Sequence, residues 1–243
     1  MVERHTQHLK CTSQATLPDE DIEILNRMRY VVLPGKYLEG PLMKEYLTAY
    51  NCWRLIWWQA LLELDGSVSL DADDFTRHDQ VGALFAEERF VGCAFFSVVN
   101  PKLQPFREDS YFRAWSDEAV SKLTAPGDVV VMCSNFSLHP DWRRGTMALN
   151  LKYLLLALHI KYFRTTGLPA MTGTVRRDKG MHHLSYAFGG VPLETGVASP
   201  HGDLVDLVGF FPDRITACAD EAVNHWADRI WQASGYGDPK QET

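Results

Sequence analysis

The sequence is poor in the features that mark several large classes of protein. Its five cysteines (Cys11, Cys52, Cys93, Cys133 and Cys218) are odd in number, far apart and without a C-x-x-C pair. That spacing argues against a zinc set and against a disulfide framework, and it suits a reducing cytoplasm. No apolar run reaches the roughly 18 residues that a membrane span needs. Met1 to Thr12 is polar and mixed in charge, without the apolar centre of a signal peptide. Internal repeats, low-complexity tracts and obvious linkers are all missing. So is net positive charge: the formal balance is −7, which argues against nucleic acid as the main partner.

What is present fits one folded unit. The chain has 243 residues, 46% hydrophobic and 23% charged, enough to bury a sizeable core. The expected organisation is a single domain over 1–243, with a loose arm at 1–17 and a C-terminal helix and tail at 219–243. Apolar spacing and acids in the first turn predict a helix over Asp19–Leu33, stopped by Pro34-Gly35. A second helix is expected over Pro41–Leu64, closed by Asp65-Gly66. Trp53 and Trp57 share one of its faces, either as core or as the wall of a substrate pocket. His78–Phe85 and Arg89–Val99 read as a hairpin turning at Glu87-Glu88. Gly82 and Gly92 inside it mark bulges or close backbone approach. Further strands are expected over 128–138 and 171–175, after Gly190, and over 204–211. Further helices are expected over 144–165, 179–188 and 219–233. This order is α/β with a mixed central sheet flanked by helices.

Charge is unevenly spread. Between Asp141 and Gly180 eight bases face two acids. That stretch carries +6, which leaves −13 for the rest of a chain whose total is −7. Within it, a buried strand (Val129, Val130, Val131, Met132) runs through His139-Pro140-Asp141-Trp142 into an apolar helix. Arg143 and Arg144 then stand at the positive end of a helix dipole, where each costs about 0.3–1 kcal/mol unless an anion compensates. First-turn amides flanked by guanidinium groups make a phosphate cradle. The alternative is that both arginines extend into solvent.

HPDWRRGTMALNLKYLL, residues 139–155, resembles motif A of the GNAT acyltransferases, with its Arg/Gln-x-x-Gly-x-Gly/Ala pyrophosphate pattern. Arg143 takes the first position and Ala148 the sixth, while Thr146 stands where the family usually has Gly. HHLSYAFGGVPLE is similar to the family's later helix and strand, with Tyr186 four residues before Gly190. Upstream, LNRMRYVVLPGKYLEG and LDADDFTRHDQVGALFAEERFVGCAFFSVV resemble the branch of autoinducer synthases and long-chain N-acyl amino acid synthases. On the strand at 128–138, that branch usually carries Glu-x-x-Arg or Ser-Arg; this chain has Met132-Cys133-Ser134-Asn135.

The resemblance implies transfer of an acyl group from acyl-CoA or acyl carrier protein to a small-molecule amine, with no covalently bound cofactor. Backbone groups near Phe136 and Leu138 would pair with the pantetheine arm where the strands at 128–138 and 171–175 splay. Arg143, Arg144, Gly145, Thr146, Met147 and Ala148 would hold the phosphates. Tyr186, with an ordinary pKa near 10, would protonate the leaving sulfur. Phe85, Phe90, Phe95 and Phe96 would suit a long acyl chain. The base stays open: His139 lies near the turn, as base or structural cap, and Cys133 or Ser134 could sit in the splay, while Asp73, Asp74 and His78 could line the acceptor pocket or be a turn and a strand start. A thioester-binding module without transferase activity and a thioester decarboxylase are the alternatives on the same fold. His182-His183 and His201-x-Asp203 invite a metal reading, but adjacent helical histidines diverge by about 100° and do not share one ion easily. No metal is expected.

Overall fold

The computed structural model describes residues 17–236, apart from Ser67 and Arg144. The expected arm and tail lie mostly outside the described residues. Leu17 and Tyr236, at their inner ends, pack against the core.

The helix expected over Asp19–Leu33 is a correction. Helix α1 covers only Asp19–Asn26, and strand β1 follows at Met28–Pro34. Arg27 caps the helix, its amide bonding back to Ile24 and Leu25. The run Met28-Arg29-Tyr30-Val31-Val32-Leu33 is β-branched and aromatic. It alternates between buried and half-buried because it pairs antiparallel with β2 (Gln80–Ala86) from Met28↔Ala86 to Pro34↔Gln80. A sheet partner overrode a weak helical pattern.

Helix α2 (Met43–Asp65) ends at Gly66 in the left-handed conformation, the usual glycine stop. After a single turn α3 (Asp73–Thr76), β2 and β3 (Arg89–Val99) form the expected hairpin. Short helices α4 (Gln104–Arg107) and α5 (Asp117–Leu123) flank a 3₁₀ turn at Ser110–Ala114. Then come β4 (Val130–Leu138), α6 (Leu151–Thr165), β5 (Met171–Arg176), α7 (Met181–Ala187), β6 (Val191–Ala198), β7 (Leu204–Phe210) and α8 (Glu221–Ala233).

The strands make one sheet in the order β1-β2-β3-β4-β5-β7-β6. Every neighbouring pair is antiparallel except β4 and β5. Helices α1, α6, α7 and α8 cover one face, around Leu154, Leu158 and Trp226. Helices α2, α3 and α5 cover the other, around Trp53, Phe75, Phe95 and Trp115. The four hairpin phenylalanines are all buried in these clusters, Phe96 on one face and Phe85, Phe90 and Phe95 on the other. They are packed core rather than the lining of an acyl channel. Among the described residues no helix is long and apolar enough to cross a membrane.

Candidate active site

The site is built around the one parallel strand pair. β4 and β5 register only at Val131↔Met171, where the Val131 amide donates to the Ala170 carbonyl at 2.9 Å. Beyond that rung they diverge. Both strands are central in the sheet, yet residues 133–136 and 174–176 are only half-buried. A central strand loses cover in this way when its neighbour leaves it, so the divergence is an open cleft.

A bulge shapes the β4 wall of that cleft. Cys93 lies opposite Ser137 and Phe95 opposite Ser134, so two β4 residues, Asn135 and Phe136, face one on β3. Asn135 has φ +55, a conformation that asparagine tolerates better than most residues. The extra residue rephases the backbone. Cys133 turns its amide towards β5, bonding Thr172 Oγ1 at 3.3 Å. The amide of His139 donates to Val91 on β3. Since backbone groups alternate in direction, Phe136 and Leu138 also turn theirs towards the cleft. Gly92 permits the close β3–β4 approach: a Cβ there would lie 2.4 Å from the Ser137 carbonyl.

Two tryptophans of α2 brace the bulge from the opposite face. Trp53 Nε1 donates to Asn135 Oδ1 at 3.2 Å, and Trp57 Nε1 donates to Ser137 Oγ at 2.9 Å. Trp53 is therefore buried core and Trp57 half-buried, and both indole N–H groups reach the bulge. Sequence reasoning missed Asn135 and Ser137 as their partners. The available signal was a Ser-Asn pair inside an apolar strand.

The phosphate-loop expectation needs correction at its start. The helix begins at Leu151, and residues 143 and 145–150 are loop. Gly145 adopts φ +86. The Thr146 hydroxyl lies 2.8 Å from the Asp141 carbonyl and 2.9 Å from that of Arg143, and such local bonds compete with helix. Asn150 caps α6 instead, its side chain accepting from the Lys152 amide. Arg143 thus lies outside the helix's first turn, and the dipole mismatch does not apply to it. Arg144 lies outside the described residues. Two of the four expected amides are already engaged: Thr146 with the Arg143 carbonyl, and Ala148 with buried Asp21 of α1 at 2.7 Å.

This loop still walls a cavity of about 420 Å³, together with the first turn of α6 and the start of α7. Leu138, Arg143, Gly145, Met147 and Ala148 line it. So do Lys152 and Lys179, and among the described residues no carboxylate does. Arg143 reaches back to the Leu138 carbonyl at 3.4 Å and has no acidic partner among the described residues. The cavity therefore opens at the Leu138 end of the β4–β5 cleft. Elsewhere in the basic stretch Lys161 pairs with Asp228, Arg176 with Asp178 and Asp203, and Arg177 with Asp206, and Lys179 itself lies 3.7 Å from Glu63 and 3.8 Å from Asp178.

Tyr186 on α7 turns its hydroxyl to Asp206 of β7, donating at 2.7 Å. Burial first, and that hydrogen bond second, push its pKa up to about 12, so it stays protonated at neutral pH. Asp206 is buried and also accepts from the Gly196 amide at 2.8 Å. The other candidate residues fare differently. His139 Nδ1 accepts from the Asp141 amide and caps its turn. His78 is buried beside Ser97 and Phe95, and burial pulls it down to about 4. Burial pushes the Cys133 thiol up to about 12, so it is not a ready nucleophile. Among the described residues no group of histidine, cysteine and carboxylate side chains is arranged to hold a metal.

No protein-family model matches this sequence, and no curated protein matches it. Solved structures do. FeeM, an N-acyl amino acid synthase from uncultured soil microbes, superposes with a TM-score of 0.52 at 12% identity, over 86% of this chain and 97% of its own. BjaI, a CoA-dependent acyl-homoserine lactone synthase with SAM and isopentyl-CoA, gives 0.53 at 14%, over 84% and 89%. The acyl-homoserine lactone synthase LasI gives 0.51 at 10%, over 75% and 89%. At these identities the likeness speaks to architecture. The chain has the GNAT acyltransferase fold, in the form these synthases share.

Proposed function

We propose that this protein is an N-acyltransferase that moves an acyl group from acyl-CoA or acyl carrier protein to an amine by direct attack on the thioester. The observation that carries the reading is the cavity beside Arg143, Lys152 and Lys179. It is lined by cations, with no carboxylate among the described residues that wall it, and lies where the β4–β5 cleft opens. A pyrophosphate or phosphopantetheine phosphate suits such a lining. The described elements, sharing one sheet, act as one domain.

In this reading Arg143 and the 145–148 loop, with Arg144 beside it, hold the donor's phosphates. The pantetheine arm pairs with the backbone of Phe136 and Leu138, as an added strand would. An amide of the bulge stabilises the oxyanion that forms on the thioester carbonyl. The amine nitrogen bonds to that carbon and releases one proton to solvent, the carbon–sulfur bond breaks, and the departing thiolate takes a proton. Tyr186 is the donor for it and turns away from Asp206 to deliver it. The fold's occurrence in FeeM and BjaI, enzymes named for acyl products, supports the same chemistry here.

Thermal stabilisation by coenzyme A and acetyl-CoA tests the reading. Ligand at 100 times its Kd adds about 2.7 kcal/mol, or roughly 5–11 °C for a chain of this size. Arg143→Ala is expected to weaken binding about tenfold or more, through loss of a charge-assisted hydrogen bond. Absence of a shift with coenzyme A, acetyl-CoA and an acyl carrier protein alike sinks the proposal. Tyr186→Phe should keep the ligand and lose turnover, whereas a pure binding module would be indifferent.

A further inference from the structure

We infer that Tyr111 closes the deep end of the cleft and sets the longest acyl chain the enzyme accepts, at about eight carbons. The inference rests on the donor orientation proposed above. Tyr111 lies in the 3₁₀ turn at Ser110–Ala114, on the α5 side of the sheet. Its hydroxyl sits between the diverging strands. It donates to the Cys133 carbonyl of β4 at 3.1 Å and shares a hydrogen bond with Thr172 Oγ1 of β5 at 2.7 Å. The Cys133 amide in turn donates to Thr172 Oγ1. With Thr172 donating to Tyr111, the four groups form a closed ring and every proton has an acceptor. The ring stands in for the strand rung that β4 and β5 no longer make, and β4 is only half-buried from Cys133 to Phe136.

The side walls are equally built. Trp115 stacks near Tyr111, ring centroids 6.1 Å apart, and donates to Thr174 Oγ1 of β5 at 3.0 Å. The indoles of Trp53 and Trp57 hold the bulge on that face. On the other face Phe136 packs against fully buried His159. A donor whose phosphates sit by Arg143 must run from Leu138 towards Cys133, so its acyl chain points at Tyr111. From Phe136 to Cys133 is three residues, roughly 10 Å at the usual strand rise. That length holds about eight extended carbons, since a C–C bond of about 1.5 Å advances a zigzag chain by about 1.25 Å. A longer chain meets a hydrogen-bonded plug rather than open core.

The experiment is a set of dissociation constants for coenzyme A and its butyryl, octanoyl, dodecanoyl and palmitoyl thioesters, below micellar concentration. With wild type, octanoyl-CoA should bind at least as tightly as butyryl-CoA. Palmitoyl-CoA should bind about tenfold more weakly or worse, because extra methylenes would be forced against packed groups. Tyr111→Ala should remove most of that penalty and leave unacylated coenzyme A unchanged. Should the alanine variant not fold, Tyr111→Phe keeps the ring and loses the hydroxyl ring of bonds, and should narrow the gap between octanoyl and dodecanoyl. Equal affinity of wild type for butyryl and palmitoyl thioesters overturns the inference alone. So does an unaltered chain-length profile in a folded Tyr111 variant. Failure of every ligand, unacylated coenzyme A included, overturns the donor-site reading and this inference with it.

Discussion

Replacing Asn135 should separate two reasons for its presence, one in the backbone and one in the side chain. The residue holds φ +55 at the bulge, and its side-chain oxygen accepts from the indole of Trp53, which is 0% exposed. In Asn135→Ala the left-handed conformation carries a steric penalty of about 1–2 kcal/mol. The buried indole N–H also loses its acceptor, at about 1–3 kcal/mol. The alanine variant should therefore be less stable by about 2–5 kcal/mol. Asn135→Gly meets no steric penalty at this φ and should lose only the second contribution, about 1–3 kcal/mol. The measurement is the urea midpoint of each variant, with an unchanged denaturant slope showing that only stability has moved. Trp53→Phe completes a double-mutant cycle. It should cost less in the Asn135→Gly background than in wild type, because the N–H it removes is already unpartnered there. Equal stability of the alanine and glycine variants would refute the backbone argument. Equal cost of Trp53→Phe in both backgrounds would refute the hydrogen-bond argument.

Three further expectations concern pH. Tyr186 holds its proton more tightly folded than unfolded, up to about 12 against an ordinary 10. Its contribution to stability is therefore intact below pH 10 and lost as pH rises from 10 to about 12, and Tyr186→Phe should flatten that alkaline arm. Asp206→Asn should leave coenzyme A affinity in place while changing the pH profile of turnover, since it alters the group that holds the Tyr186 proton. At the acid end, fully buried His159 has no partner for either ring nitrogen, and burial lowers it to about 3. The unfolded chain takes up that proton near pH 6.5 and the folded one does not. Stability should fall by up to about 1.4 kcal/mol per pH unit as pH drops from 6.5 towards 3. His159→Phe should remove that slope in an acid denaturation series, and a slope unchanged in a folded variant would refute it.

Residue type constrains which conformations a segment can adopt, and tertiary partners choose among them. Leu25 and Met28 fit a helical stripe, but Tyr30 to Leu33 belong to a strand because β2 offers them a full antiparallel register. Nothing within 19–33 reveals β2. The glycines of the hairpin were readable, since only contact with Tyr30 and Ser137 requires them at Gly82 and Gly92, and a glycine inside an apolar strand signals close approach by itself. The hairpin phenylalanines were not. Aromatic content is the same for a core and for an acyl channel, and only the packing of α2 and α6 on opposite faces decides it. The cationic motif was legible as a whole and misplaced in detail. Its arginines precede a helix in sequence, but Gly145, Thr146 and Asn150 delay that helix by seven residues. That delay matters chemically. A helix starting at Arg144 would present its amides to an anion directly, whereas a loop of this length encloses a cavity and brings Lys179 from beyond β5 to face Arg143 across it. The cavity thus draws its cations from two segments, and a count of charges along one segment could locate the region but not the arrangement of its walls.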